Sequence, residues 1–214
     1  MLHHDQVVEI FKALADPNRL QLFELLLCSD LTNSELMDQT GLRQNLLSHH
    51  LTILADSNLI RVHRSIGAAR RHYYSVNPAT AAKFQHWWGR YSPPPLEALP
   101  ALERPRRVLF LCLRNTSRSM IAEALARHYA SHTLLPYSAG VEPEPAPLPA
   151  VTQRVLEEHG VSLDGLTAQT FHELRGISFD YLITVCDIVR ESQVPAELQN
   201  LEHLHWSLRD PIAN

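Results

Sequence analysis

The sequence predicts two domains: an α+β winged helix-turn-helix, then an α/β domain with a parallel sheet and a Cys-x5-Arg loop of phosphate-binding type. Three observations carry that expectation. Apolar residues at helical spacing fill residues 6–56 and give way to a basic two-strand hairpin. A proline-rich stretch interrupts the chain at 92–105. Beyond it, short apolar runs alternate with helical patterns, and the first run ends in Cys112.

The first helix, over 6–15, places Val7, Ile10, Phe11 and Leu14 at helical spacing. Asp16-Pro17 then supplies an N-cap and a first-turn proline for a helix carrying Leu20, Phe23, Leu26 and Leu27. Thr32-Asn-Ser-Glu35 reads as a capping box that opens a short helix ending near Gly41. The next helix, about 43–56, is expected to bury Leu46, Leu47, Leu51 and Leu54 and to present Gln44, Asn45, Ser48 and His49. Strands Leu59–Arg64 and Arg71–Val76 complete the wing.

The linker, Ser92-Pro-Pro-Pro through Pro105, favours extended polyproline geometry and separates domain 1–91 from domain 106–214. The second domain is expected to contain strands Val108–Leu111, Leu134–Ser138, Tyr181–Val185 and a short one at His203–Trp206. Helices are expected at Ser119–Ala130 and Leu148–His159, with Pro143, Pro145, Pro147 and Pro149 in a loop. Strand and helix alternation of this kind gives a parallel sheet with helices on its faces.

Composition narrows the function. No apolar run approaches the roughly 18 residues that cross a bilayer, and the start lacks a signal peptide, so a cytoplasmic protein with no membrane partner is expected. The net charge of −4 is unevenly spread: residues 1–104 are balanced, and 105–214 carry the whole excess. Within 43–72 five arginines face Asp56 alone, a local positive footprint suited to double-stranded DNA. Three cysteines, Cys28, Cys112 and Cys186, are too few for a disulfide scaffold. Cys28 ends an apolar helix, where core packing is expected. His3, His4, His63, His72 and His86 lack ligand-like spacing, so no metal site and no resident cofactor are expected.

On the reading helix, Arg43, Gln44, Asn45, Ser48 and His49 can address base edges in a major groove, while Arg64, Arg70 and Arg71 on the hairpin can hold phosphates. The plainer alternative is a solvated helix face and a strand edge dressed with arginines. The stretches Phe11-Lys-Ala-Leu-Ala-Asp-Pro-Asn-Arg-Leu20, Gln44-Asn-Leu-Leu-Ser-His-His-Leu-Thr-Ile-Leu-Ala-Asp-Ser-Asn-Leu-Ile60 and Arg71-His-Tyr-Tyr74 resemble the ArsR/SmtB winged-helix repressors. The resemblance implies a homodimer on a palindromic operator, released by a metal, metalloid or redox signal. Arsenic-sensing members carry a Cys-x-Cys pair where this chain has Thr32 and Ser34, and hydroxyls are poor ligands for a thiophilic ion.

In the second domain, Val108-Leu-Phe-Leu-Cys112-Leu-Arg-Asn-Thr-Ser-Arg118-Ser119 sets a cysteine at a strand end and an arginine where a helix begins. The loop through Arg114, Asn115, Thr116, Ser117 and Ser119 wraps backbone N–H groups around one point, and the helix N-terminus adds positive potential. A field of that sign favours a thiolate, and Arg118 can clamp two oxygens of an arsenate- or phosphate-like oxyanion. The plainer alternative is a buried strand-end cysteine beside a surface arginine.

With Tyr137-Ser-Ala-Gly140, Phe179-Asp-Tyr-Leu-Ile-Thr-Val-Cys186-Asp and His205-Trp-Ser-Leu-Arg-Asp210-Pro211, the loop resembles the low-molecular-weight tyrosine phosphatase superfamily, and its arsenate reductase branch in particular. The resemblance implies Cys112 as nucleophile, Arg118 as oxyanion clamp, Asn115 as loop shaper, Ser119 as partner of the thiolate and Asp210 as general acid. It further implies that Cys186 attacks Cys112 and leaves a disulfide for an external thiol reductant, thioredoxin or a small thiol. The alternative for Cys186 is a strand-end core residue.

Four departures stand out. Arg114 replaces the small residue two places after the nucleophile, in a loop with no glycine, and Ser117 replaces a second loop cysteine. Gln193 stands about where thioredoxin-coupled reductases have a third cysteine. The chain stops at Asn214, where relatives continue into a closing helix, so either the domain is abbreviated or the chain is incomplete. Three readings follow: an arsenic-linked repressor fused to an arsenate reductase-like domain, a non-catalytic oxyanion or redox sensor, or a tyrosine phosphatase with a DNA-binding domain.

Overall fold

The computed structural model describes residues 2–68, 70–90, 104–143 and 146–211, with no account of the side chains of residues 151, 192 and 193. Most of the expected linker, Pro145 and the chain end therefore lie outside the described residues. The chain divides into two compact units, one drawn mainly from the first 101 residues and the other mainly from residue 102 onward.

In the first unit the elements run α1(His4–Leu14), α2(Pro17–Cys28), β1(Leu31–Thr32), α3(Asn33–Thr40), α4(Gln44–Asp56), β2(Ile60–Arg64), β3(His72–Val76) and α5(Pro78–Gly89). The caps act as their sequences suggest. Asp16 accepts from the N–H groups of Asn18 at 2.9 Å and Arg19 at 3.1 Å. Thr32 and Glu35 exchange the reciprocal bonds of a capping box, and Gly41 closes α3 at φ +70°. The hydroxyl of Thr32, at one of the two positions that carry cysteine in the arsenic-sensing pattern, is thus engaged in capping. The antiparallel sheet has order β1-β3-β2, with Ile60 opposite Val76 and Arg64 opposite His72.

The core of this unit joins Ile10, Leu22, Leu26, Leu36, Leu47, Leu51, Leu54 and Leu59. The expected burial of Leu46 and of Cys28 fails. Leu46 is 44% exposed, because it lies about 100° round α4 from Leu47, while His50 takes the inward place beside Leu47 and Leu54. Leu20 and Leu27 flank the buried Leu22–Leu26 line, and Phe11 flanks Val7 and Ile10, so all three are exposed. Cys28, the last residue of α2, is exposed rather than packed in the core. The sequence reading also lacks α5, although Asn77-Pro78 repeats the Asp16-Pro17 signal and Asn77 accepts from Ala79 N–H at 3.1 Å.

The second unit contains β4(Arg106–Cys112), α6(Arg118–Ala130), β5(Leu134–Gly140), α7(Ala150–Glu158), β6(Tyr181–Thr184) and β7(Glu202–His205). All four strands are parallel, in order β5-β4-β6-β7. Central β4 is buried from Val108 to Cys112, which is why its sequence is an unbroken apolar run. Leu109, Leu111, Leu182 and Val185 are fully buried around it, and Met120, Ala124, Leu156 and Val161 form a smaller cluster between α6 and α7. The helix expected from Leu148 starts at Ala150, since Pro149 holds an extended ψ of 138° before it. At the entry to β4, Asp180 takes a bond from Arg104 Nη1 at 2.9 Å and another from Arg107 N–H at 2.8 Å. Those bonds, Arg104 first, hold its carboxyl down at about 2.

Candidate anion-binding loop and reading helix

Strand β4 delivers Cys112 to the C-terminal edge of the sheet, where ligands of open α/β folds gather. There Cys112 pairs in register with Gly140, the last residue of β5. The loop runs close over that glycine: a Cβ on Gly140 would come within 3.0 Å of the Leu113 oxygen and the Arg114 carbonyl carbon. The glycine missing from the loop is therefore supplied beneath it. Arg114 itself has no positive φ and is exposed, and the left-handed turn falls one residue later, on Asn115 at φ +52°.

Asn115 is fully buried and every arm of it is used. Its N–H donates to Cys112 Sγ at 3.1 Å, and its Nδ2 donates to Ser119 Oγ at 3.0 Å and Ser138 Oγ at 2.9 Å. Its Oδ1 accepts from Gln169 N–H at 2.8 Å. Ser119 Oγ also lies 2.9 Å from Cys112 Sγ. With Cys112 as the thiolate, which can only accept, the Ser119 hydroxyl is the donor. Two donors thus converge on Cys112, an arrangement that stabilises sulfur in its anionic form.

Helix α6 begins at Arg118 with no side-chain cap, which leaves its first N–H groups facing the loop. The Arg118 guanidinium donates from Nη1 to the Leu208 carbonyl at 3.2 Å, and its Nη2 pairs with Asp210 Oδ2 at 3.2 Å. Its Nε is buried and has no hydrogen-bond partner among the described residues. A guanidinium braced at two corners with an inner N–H remaining is suited to hold an oxyanion.

Cys112, Thr116, Ser117, Arg118, Cys186 and Asp210 line one pocket, so the structure brings the expected nucleophile, clamp, second thiol and acid together. Arg114 adds to its rim. Two charged residues of the lining, Arg209 and Asp187, are not among the site residues expected from the sequence. Arg209 stands exposed beside Asp210. Asp187, directly after Cys186, is buried; it accepts from Ser207 Oγ at 2.6 Å and pairs with His205 Nε2 at 3.2 Å. Burial works to raise the Asp187 carboxyl, but those hydrogen bonds outweigh it and hold the group well below the usual range. Its adjacency to Cys186 and the neighbouring His205-Trp motif were the available signals.

On α4, Arg43, Gln44, Asn45, Ser48 and His49 are all exposed, opposite the buried Leu47, Leu51 and Leu54. Arg64, Arg70 and Arg71 are exposed on the hairpin. Among the described residues no group of three or more His, Cys, Asp or Glu is arranged to hold a metal, and no helix is long and apolar enough to cross a membrane.

These two sites define a winged-helix regulator joined to a cysteine-loop α/β domain. Residues 16–62 match the family model for bacterial regulatory proteins of the arsR family, and residues 107–210 match that for low molecular weight phosphotyrosine protein phosphatases. An arsenical resistance operon repressor of Staphylococcus xylosus is 30% identical over 76 residues, spanning 36% of this chain and 70% of that protein. An arsenate reductase of Halalkalibacterium halodurans is 30% identical over 104 residues, 49% of this chain and 73% of that protein. A solved arsenate reductase from Archaeoglobus fulgidus is 31% identical and covers 50% of this chain and 81% of its own, with a TM-score of 0.42. The chain belongs to the arsR family of bacterial regulatory proteins over its first domain and to the low molecular weight phosphatase family over its second. It is an ArsR-type repressor domain fused to an arsenate reductase-like, phosphatase-like domain.

Proposed function

We propose that this chain is an arsenic-linked transcriptional repressor whose second domain reduces arsenate. The observation that carries the reading is Cys112, with two hydrogen-bond donors on its sulfur, in one pocket with Arg118, Asp210 and Cys186. Arsenate binds at the loop N–H groups, the α6 N-terminus and Arg118. Cys112 thiolate attacks arsenic, an oxygen leaves as water with a proton from Asp210, and a sulfur–arsenic bond forms. Cys186 thiolate then attacks Cys112 Sγ. The new disulfide bond forms as the sulfur–arsenic bond breaks, the electron pair stays on arsenic, and arsenite departs. Two thiols are oxidised while As(V) becomes As(III), and an external thiol restores them.

In the first domain, α4 enters the major groove with Gln44, Asn45, Ser48 and His49 at base edges, and Arg43, Arg64, Arg70 and Arg71 near phosphates. A homodimer on a palindromic operator in the cytoplasm is the working assembly. The aromatic cluster of Phe11, Phe84, Trp87 and Trp88, with Phe11 46% and Trp88 52% exposed, supports pairing through α1 and α5.

The test is arsenite production from arsenate with thioredoxin or a small thiol, in the wild type and in Cys186→Ser. Multiple turnover in the wild type and its loss in Cys186→Ser are expected. No arsenite with either reductant, alongside normal operator binding, would sink the enzyme reading in favour of a sensor. Aryl phosphate turnover without arsenate reduction would favour a phosphatase.

A further inference from the structure

The proposed reaction leaves a disulfide between Cys112 and Cys186, and the surroundings of the two sulfurs bear on what can reduce it. Both residues are buried, Cys112 at 3% and Cys186 at 1% exposure. Thiol exchange requires an attacking sulfur in contact with the bond it breaks, so the reductant's thiol has to enter the pocket. A small molecule can do so, whereas a thiol borne on a protein surface is held back by the bulk around it. Between residues 106 and 214 the sequence has no third cysteine that could carry the disulfide outward.

The charge of the lining narrows the class of small thiol. Arg114, Arg118 and Arg209 stand against Asp187 and Asp210. Both acids are engaged: Asp210 pairs with Arg118 at 3.2 Å, and Asp187 accepts from Ser207 and pairs with His205. Arg114 and Arg209 are exposed, and they reach the same pocket from two separate segments, the loop after β4 and the stretch after β7. A single tetrahedral ion is already served by Arg118, the loop N–H groups and the α6 N-terminus. Arsenite leaves uncharged near neutral pH, so the incoming reductant meets the positive charge of the lining. Guanidinium groups hold carboxylates through paired N–H donors.

We propose that Arg114 and Arg209 are specificity residues that select a carboxylate-bearing small thiol, with glutathione as the type, to reduce the Cys112–Cys186 disulfide. This rests on the reading of the two cysteines as the reducing pair and names the reductant which that reading leaves open. One glutathione thiolate attacks a sulfur of the disulfide, whose S–S bond breaks as a mixed disulfide forms. A second glutathione attacks the first and departs with it as glutathione disulfide. The protons of the two incoming thiols end on the two protein sulfurs, so the pair is restored and two glutathiones are oxidised.

The test is steady-state arsenite formation by the full chain with glutathione, glutathione diethyl ester or thioredoxin as sole reductant. The ester keeps the thiol and loses both carboxylates. In the wild type the KM for glutathione is expected to lie about tenfold below that for the ester, with the gap narrowing as salt rises. Arg209→Gln is expected to raise the KM for glutathione about threefold more than that for the ester, and Arg209→Lys to keep most of the preference. Adding Arg114→Gln is expected to bring the two KM values together. Equal KM values in the wild type, an equal loss with both thiols in Arg209→Gln, or turnover with thioredoxin and not with glutathione would each overturn the proposal and leave the reductase reading standing. No arsenite with any of the three would overturn the reductase reading, and this proposal with it.

Discussion

On α4 the polar side chains Gln44, Asn45, Ser48 and His49 stand exposed, whereas in the loop after β4 Cys112, Asn115, Ser117 and Ser119 are each at most 3% exposed. The helix side chains are open to water, which base edges can replace one group at a time. Cys112, Asn115 and Ser119 are hydrogen-bonded to one another before any substrate arrives. A reader of DNA needs adaptable donors on a rigid rod, and a binder of a tetrahedral ion needs a finished mould. The contrast lies in which groups complete the polar partnerships.

The sharpest way to break that comparison is Cys112→Ser. Arsenite formation should fall to background while a gel shift on the gene's own upstream DNA is unaffected; a parallel loss of DNA binding would mean the two sites are not separable. Gly140→Ala comes next. Its Cβ would press on loop backbone at 3.0 Å, with an expected cost of about 1–3 kcal/mol in denaturant unfolding and a displaced loop. Turnover is expected to drop about 100-fold, since a misplaced anion site loses its orientation. Unchanged kinetics would show that the loop is softer than its contacts suggest.

Gln44→Ala or Asn45→Ala should weaken operator binding by about 1–3 kcal/mol in a salt-matched titration, with arsenate reduction unaltered. Thr32→Ala removes a cap rather than a reader, so about 1 kcal/mol of stability should go from the first domain with little change in base preference. The smallest effect is in pH. The folded-state value of Asp180, about 2, is depressed below its ordinary 3.8, so its stabilising contribution is complete above pH ~4 and lost as pH falls toward 2. Asp180→Asn should flatten acid unfolding over that window, and an identical acid limb in both proteins would remove Asp180 as a source.

Much of this was readable from residue order. The strand that ends at Cys112, the caps at Asp16 and Thr32 and the four-residue repeat on α4 are local patterns with local causes. The reading failed where a side chain's fate depends on distant partners. Leu46 and Cys28 are apolar by type, yet neighbouring elements leave their side of the helix uncovered. Asp187 has an ordinary letter but an unusual site, made by His205 and Ser207 from eighteen and twenty residues downstream. Gly140 gained meaning only when β5 was paired beside β4.

Asn115 carries a consequence for how the protein comes into being. Its partners Ser138 and Gln169 lie 23 and 54 residues further along the chain. During synthesis the loop residues emerge before the groups that anchor them. Only when the stretch through Gln169 has folded back does the left-handed turn at Asn115 acquire its full set of anchors. The anchored loop is thus a property of the folded domain, absent from any fragment that ends before Gln169.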